Sequence, residues 1–338
     1  MRQVWITRAG APEVLAVREA PDPEPSAGEV RVRVKRSGIN FADLMARVGL
    51  YPDAPPIPCV IGYETSGVVD RLGKGVTAVK EGDRVMAMPY FGGYSDTVVV
   101  PEVQAFRMPD KMSFDDGAAL PVVYLTAYTM MLFTGNLRPR SKVLIHSAAG
   151  GVGLAAIDLA RSRDCEIYGI ASAGKHEFLK KRGVAHTFTT DEDWPSRVRE
   201  IAGKNGLDLA LDPVGGKSWR VSYDLLGKCG RLVAFGLSAA QGGKKRDLLK
   251  AAWAVLQIPR FNPSTMMGDN KTVTGVNMAH LFDRPDLLAP QMIDLVAMYE
   301  AGKIAPHVSK VFPAAEAPAA HHYLHDRKAI GKVLLGWD

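Results

Sequence analysis

Cysteine is scarce in this sequence: Cys59, Cys165 and Cys229 are the only three, far apart and odd in number. That excludes a disulfide framework and a Cys-rich zinc lobe, and makes a reducing cytoplasm the expected compartment. No apolar run approaches the ~20 residues that a bilayer span requires. Residues 1–10 lack the apolar core of a secretion signal. There is no internal repeat, no low-complexity linker and no nucleic-acid motif. The net charge of +6 comes from scattered basic residues, so nucleic acid is not an expected partner. The charge suits an anionic ligand, such as a phosphorylated cofactor or an acyl thioester. A membrane surface is a further, less favoured partner.

What is present is an ordinary globular composition, 338 residues with 47% hydrophobic and 23% charged. At roughly 150 residues per domain, that allows two domains with separate cores. The first third reads as β structure. Over residues 29–35, Val30, Val32 and Val34 alternate with Arg31, Arg33 and Lys35, the period-two signature of a half-buried strand. Short strands are expected at 65–70, 83–88 and 97–100, separated by Pro- and Gly-rich breaks.

Beyond Ser113 the texture changes to strands alternating with helices. The strands are expected at 142–146, 166–171, 185–189, 207–211, 231–235 and 271–276, with helices between them. This pattern predicts an α/β, doubly wound parallel sheet. A helix over 287–300, a second near 316–326 and a β-like run at 330–335 close the chain.

The most informative local feature is Ala148-Ala149-Gly150-Gly151-Val152-Gly153, between an apolar strand and a helix. It matches the dinucleotide fingerprint at its second and third glycines, with Ala148 in place of the first. The second glycine admits a pyrophosphate close to the backbone, and the third lets helix and strand pack. Backbone N–H groups at the helix start then face the phosphates. An NAD-specific site carries an acid about 20 residues on. Here the second strand runs into Ala171-Ser172-Ala173-Gly174-Lys175, without one. Ser172 and Lys175 suit a 2′-phosphate, so NADPH is preferred over NADH. A solvated lysine in a first helical turn is the alternative for Lys175.

With these residues in place, the chain resembles the medium-chain dehydrogenase/reductase superfamily. It looks most like the zinc-free quinone oxidoreductases, and closest to their vesicle amine transport protein-like branch. The carriers are residues 37–47 with Gly49-Leu50-Tyr51, then Gly82-Asp83-Arg84-Val85-Met86 and the glycine-rich turn. Residues 171–177, Asp212-Pro213-Val214-Gly215-Gly216 and Ile330-Gly331-Lys332-Val333-Leu334-Leu335 complete the set. The resemblance implies a GroES-like, mostly-β catalytic domain over residues 1–118. A Rossmann NADP-binding domain follows over 119–284, and the segment 285–338 returns to complete the catalytic domain. It also implies a homodimer built through the strand near 271–276. Asn40 and Tyr63 stand where zinc-dependent members carry Cys and His, which argues against zinc.

By the same resemblance, Asn40 orients the carboxamide of the nicotinamide or a substrate carbonyl. Its alternative is a turn residue bonded to its own backbone. Tyr51 is the candidate proton donor, since a phenol is protonated at neutral pH. The alternative is a cleft-wall aromatic that stacks on substrate. Thr126 and Phe235-Gly236-Leu237 are expected beside the nicotinamide. Ala149, Gly150, Gly151, Val152, Gly153 and Lys332 complete the expected cofactor set. Asp212 reads as a turn residue first.

Lys244-Lys245-Arg246 with Lys250 forms a basic cluster, read as solvated loop or as a phosphate site. Trp253, Phe261, Met266 and Met267 read as core packing first, with an apolar substrate pocket or a membrane-facing flap as the alternatives. His321, His322 and His325 read as a surface helix. The function implied is NADPH-dependent reduction of a quinone, an enone or an α,β-unsaturated acyl thioester. The alternative is a membrane-associated or interaction protein that binds NADPH with little catalysis.

Overall fold

The computed structural model describes every residue but Lys245, so that member of the basic cluster lies outside the described residues. Two β systems organise the molecule. Seven strands build a mostly antiparallel sheet around the long strand Glu29–Ile39. Its valines Val30, Val32 and Val34 enter the core with Val69, Val85 and Val98. Arg31 sits on the opposite side of the strand and forks onto Asp70 at 2.9 and 3.0 Å. The pleat thus separates an apolar from an ion-paired face. A three-stranded sheet (Leu15–Glu19, Arg2–Ile6, Cys59–Val60) covers one end.

The second system is a six-stranded, wholly parallel sheet. Numbered along the chain, its strands lie in the order 3-2-1-4-5-6, with Lys142–Ile145 near the centre and Thr272–Gly275 at one edge. This is the doubly wound order in which ligands sit beyond the carboxyl ends of the central strands. Helix Gly151–Arg161 follows the first strand directly. Leu154, Ala155, Ile157 and Leu159 on it are buried with Val143 and Ile145.

Leu288, Met292 and Leu295 of helix Pro285–Glu300 enter a core cluster that holds Val143 and Ile145 of the parallel sheet together with Met86 and Met88 of the β region. The chain rejoins the β domain only at Val308–Pro313. It ends there with Lys332–Gly336, which pairs parallel with Val308–Pro313 and antiparallel with Glu29–Ile39.

Two local expectations are corrected, and one holds. His321 is fully buried rather than on a surface face, because Tyr94 and Arg47 close over it from distant segments. Trp253 and Met267 are exposed rather than packed in a core. Phe261 and Met266 pack at the margin of a core.

Candidate active site

The glycine-rich turn is tight for reasons visible atom by atom. A Cβ on Gly153 would lie 2.5 Å from the carbonyl oxygens of both Ser147 and Ala148, closer than any side chain tolerates. Gly150 caps the helix Gly151–Arg161. Ser147 takes the left-handed conformation with φ of 53°, a turn geometry usually left to glycine. Room for Ala148 comes from Gly169 on the neighbouring strand, where a Cβ would sit 3.2 Å from that of Ala148. Gly150 is exposed at the helix N-terminus, where the fingerprint places an anion.

Beyond the second strand, Ser172 is exposed and Lys175 half-buried. Lys175 Nζ donates to the Ala329 carbonyl at 2.6 Å. Burial, and then the charge of Arg327, lower the Lys175 pKa. Arg327 therefore belongs to the same electropositive corner. Sequence reasoning missed it, because it lies about 150 positions from Lys175 with no local motif to mark it.

Under the turn lies a buried polar hub. Glu64 has no solvent exposure. Its Oε1 accepts from Lys332 Nζ at 2.5 Å and from Asn40 Nδ2 at 2.9 Å. Its Oε2 accepts from the backbone N–H of Val122 at 2.8 Å. That N–H lies in the first turn of helix Pro121–Tyr128, so one carboxylate joins both domains. Lys332 also donates to the Ile39 carbonyl and to Asn40 Oδ1, each at 2.9 Å. Its three ammonium protons are thus committed within the protein. Its stem lies against the glycine-rich turn, 3.0 Å from where a Gly151 Cβ would stand. Lys332 lies beside the turn with its ammonium held by protein acceptors, at the place where the resemblance expects a cofactor residue.

Asn40 opens helix Phe41–Arg47. Its backbone N–H donates to Asp43 Oδ2 at 2.7 Å. Both ends of its carboxamide are oriented, and Nδ2 has a second proton beyond the one it gives Glu64. Asp43 is fully buried, and burial lifts its pKa to about 7. Tyr94 donates to it at 3.1 Å and lies 3.2 Å from His321 Nε2.

Tyr51 stands in an aromatic group. Its ring centroid lies 6.5 Å from that of Tyr63, which packs on Phe91 at 5.1 Å and on Phe282 at 6.2 Å. Burial raises the Tyr51 phenol to about 12. The Tyr63 hydroxyl is buried without a hydrogen-bond partner. Two residues on, Asp53 reaches across to the other domain, accepting from Asn277 at 3.2 Å and lying 3.0 Å from His280.

The remaining expected residues take defined places. Thr126 Oγ1 donates to the Val122 carbonyl at 2.6 Å, within its own helix. Phe235-Gly236-Leu237 follows the strand Leu226–Ala234 at its carboxyl end. Leu237 there crowds Gly215, where a Cβ would meet it at 2.2 Å. Asp212 is fully buried and bonded to Ser218 and Ser222 at 2.6 and 2.8 Å. It also accepts from the Val214 N–H, which makes it a turn-building residue.

The residues do not fit a zinc ion. Asn40 and Tyr63 are poor ligands for it, and the Lys332 ammonium already occupies the charge-neutralising place beside Glu64. Among the described residues, no group of three or more His, Cys, Asp or Glu could hold a metal. They do fit a phosphorylated dinucleotide, through the open glycine turn and the Ser172, Lys175 and Arg327 corner.

Comparison with known proteins agrees with this architecture. A family model described as alcohol dehydrogenase GroES-like domain matches residues 26–110. A second, described as zinc-binding dehydrogenase, matches residues 151–297. The chain belongs to the medium-chain dehydrogenase/reductase superfamily.

Within it, the chain is 39% identical over 328 residues to the human synaptic vesicle membrane protein VAT-1 homolog, covering 95% of this chain and 82% of that protein. The crystal structure of Escherichia coli quinone oxidoreductase complexed with NADPH is 29% identical, with a TM-score of 0.87 and 100% of both chains covered. That of CurK enoyl reductase is 26% identical, with a TM-score of 0.84 and coverage of 99% of this chain and 98% of the other.

Proposed function

We propose that the protein is an NADPH-dependent, zinc-free reductase of an activated carbon–carbon double bond. The carrying observation is the glycine-rich turn lying against Lys332, which in turn holds the Asn40 amide where a zinc ligand would stand. The quinone oxidoreductase and enoyl reductase relatives support the same reading. When bound, NADPH supplies a hydride.

Gly150, Gly151 and Gly153 leave the space for its pyrophosphate, and the first N–H groups of the helix bind it. Ala149 and Val152 line the same turn. Ser172, Lys175 and Arg327 hold the 2′-phosphate. Thr126 and Phe235-Gly236-Leu237 border the nicotinamide. Asn40, oriented by Glu64 and Lys332, presents its spare N–H to the nicotinamide carboxamide or to the carbonyl that activates the alkene. Tyr51 delivers the proton that completes reduction, and the desolvated phenol stays neutral at physiological pH.

The substrate class is an enone or α,β-unsaturated acyl thioester ahead of a quinone, because those alkenes need a proton at carbon. We also read the protein as a cytoplasmic homodimer. The edge strand Thr272–Gly275 has a neighbour on one side only, Leu226–Ala234, which supports pairing with a second copy.

The test is oxidation of stoichiometric NADPH or NADH against a naphthoquinone, a simple enone, crotonyl-CoA and a branched enoyl-CoA, followed by the loss of reduced-cofactor absorbance. Rapid oxidation of NADPH with an enone or a thioester is expected. NADPH bound but not consumed with any of the four would overturn the reading.

A further inference from the structure

Giving up a proton leaves Tyr51 as a phenolate, which must be reloaded before the next turnover. Its surroundings set the route back to water. Tyr51 is half-buried and packs against both large apolar cores. After burial, the groups that act on its phenol are Tyr63, Asp53, Tyr90 and Asp43. Tyr63 and Asp43 are sealed inside the protein. Tyr90 reaches solvent, but it is a second phenol of raised pKa and so a weak source of protons. Asp53 is the carboxylate that remains.

The nucleotide-binding domain lays a short helical turn, Met278–Leu281, against that carboxylate. Asp53 Oδ1 lies 3.0 Å from His280 Nε2, and Asp53 Oδ2 accepts from Asn277 Nδ2 at 3.2 Å. Asn277 is itself fixed, its Oδ1 accepting the Ala279 N–H at 3.2 Å. Facing a carboxylate, the imidazole carries a proton on Nε2. Its far side meets water, since the His280 side chain is 61% exposed. Two residues on, Phe282 packs on the aromatic wall, 6.2 Å from Tyr63 and 5.9 Å from Tyr90. One segment thus covers the wall with carbon and leaves an imidazole at the surface.

We propose that Asp53 and His280 form a proton relay that reloads Tyr51 from solvent. The inference rests on Tyr51 as the proton donor of the reductase reading. The phenolate takes a proton from Asp53 as Asp53 takes the Nε2 proton of His280. His280 in turn takes a proton from water at Nδ1, and hydroxide is left in the bulk. Asp53 and His280 end with the charge they began with, and Tyr51 ends neutral. The last transfer is downhill, because a carboxylic acid is a far stronger acid than this phenol.

The test compares steady-state oxidation of NADPH with 2-cyclohexenone against the first turnover after rapid mixing. Only the steady state needs Tyr51 reloaded. In His280→Ala, kcat is expected to fall ~10-fold, while the first turnover keeps its rate and KM for NADPH is held. Added imidazole should restore kcat by standing where the side chain was. Asp53→Asn keeps an oxygen for Asn277 but cannot pass on a proton, so it should slow the steady state in the same way.

A clasp between domains that moves no proton predicts the opposite pattern: KM for NADPH rises and imidazole changes nothing. That pattern, or a wild-type kcat in His280→Ala, would sink the relay and leave the reductase reading standing. A wild type that consumes no NADPH with any alkene removes the reading, and the relay with it.

Discussion

Asp43 is fully buried beneath Asn40, and its Oδ1 has no hydrogen-bond partner. Burial is the first cause of its elevated pKa, about 7, against an ordinary value of 3.8. Between these values the folded protein keeps a proton that the unfolded chain has lost. Stability therefore falls as pH rises from about 4 to about 7, and levels off above that. The contribution is on the order of a few kcal/mol. Urea melts across that range should show the decline in the wild type and a flatter profile in Asp43→Asn. An equal slope in both would remove Asp43 as the titrating group.

Tyr51 gives a second residue-scale expectation. Its phenol, at about 12, stays protonated well past the usual range. Turnover of an enone should therefore be free of an alkaline fall between about pH 7 and 10. Tyr51→Phe should lower turnover on enones by ~100-fold and leave NADPH affinity unchanged. Full activity of that variant on every accepted alkene would make Tyr51 a wall of the cleft.

At the scale of elements, Glu64 and Lys332 hold together a strand of the β domain, the first turn of helix Pro121–Tyr128 and the strand Lys332–Gly336. Removing one partner of a buried pair leaves an uncompensated charge and costs ~3–5 kcal/mol. Lys332→Met should lower the midpoint of thermal unfolding sharply. Glu64→Gln keeps a hydrogen-bonding side chain, so it should lose less stability but reduce turnover, because Lys332 loses its counter-charge and fixes Asn40 less firmly. If Glu64→Gln shifts only the melting temperature and not kcat, the hub is structural alone.

These elements show why some features can be read from sequence and others cannot. Gly150 and Gly153 are legible because a steric requirement falls on single residues at fixed spacing beside a strand and a helix. The alternation of Val30, Val32 and Val34 is legible because the pleat has period two. Pairing of Lys332 with Glu64 spans 268 positions, and no local period encodes it. The same holds for Arg327 beside Lys175, and for the burial of His321. Helix Leu248–Leu256 misleads for the opposite reason. Composition marks it as apolar, but nothing local says which way an apolar face points.

At the scale of the molecule, two domains meet around a cleft whose walls come from both. Asp53 with His280 and Asn277 ties the Tyr51 side to the nucleotide-binding side. Arg327 returns from the far end of the chain to Lys175, at the corner proposed for the 2′-phosphate. Arg327→Ala should raise KM for NADPH by ~10-fold or more, since a charge-assisted contact is lost, with little change for NADH. A parallel rise for both cofactors would place Arg327 elsewhere. Pairing of the edge strand with a second copy predicts a particle of twice 36.6 kDa by light scattering. A single-chain mass would leave that edge free.

The strand Lys332–Gly336 is sewn between Val308–Pro313 and Glu29–Ile39. Lys332 meets the Ile39 carbonyl across a sequence separation of 293. A translating ribosome therefore releases the entire six-stranded domain before the first β domain can receive its closing strand. Until then Glu64 is a solitary acid and Asn40 lacks its second anchor. The nascent chain can thus acquire its nucleotide-binding half early, while the reactive half is withheld until the two ends of the polypeptide meet.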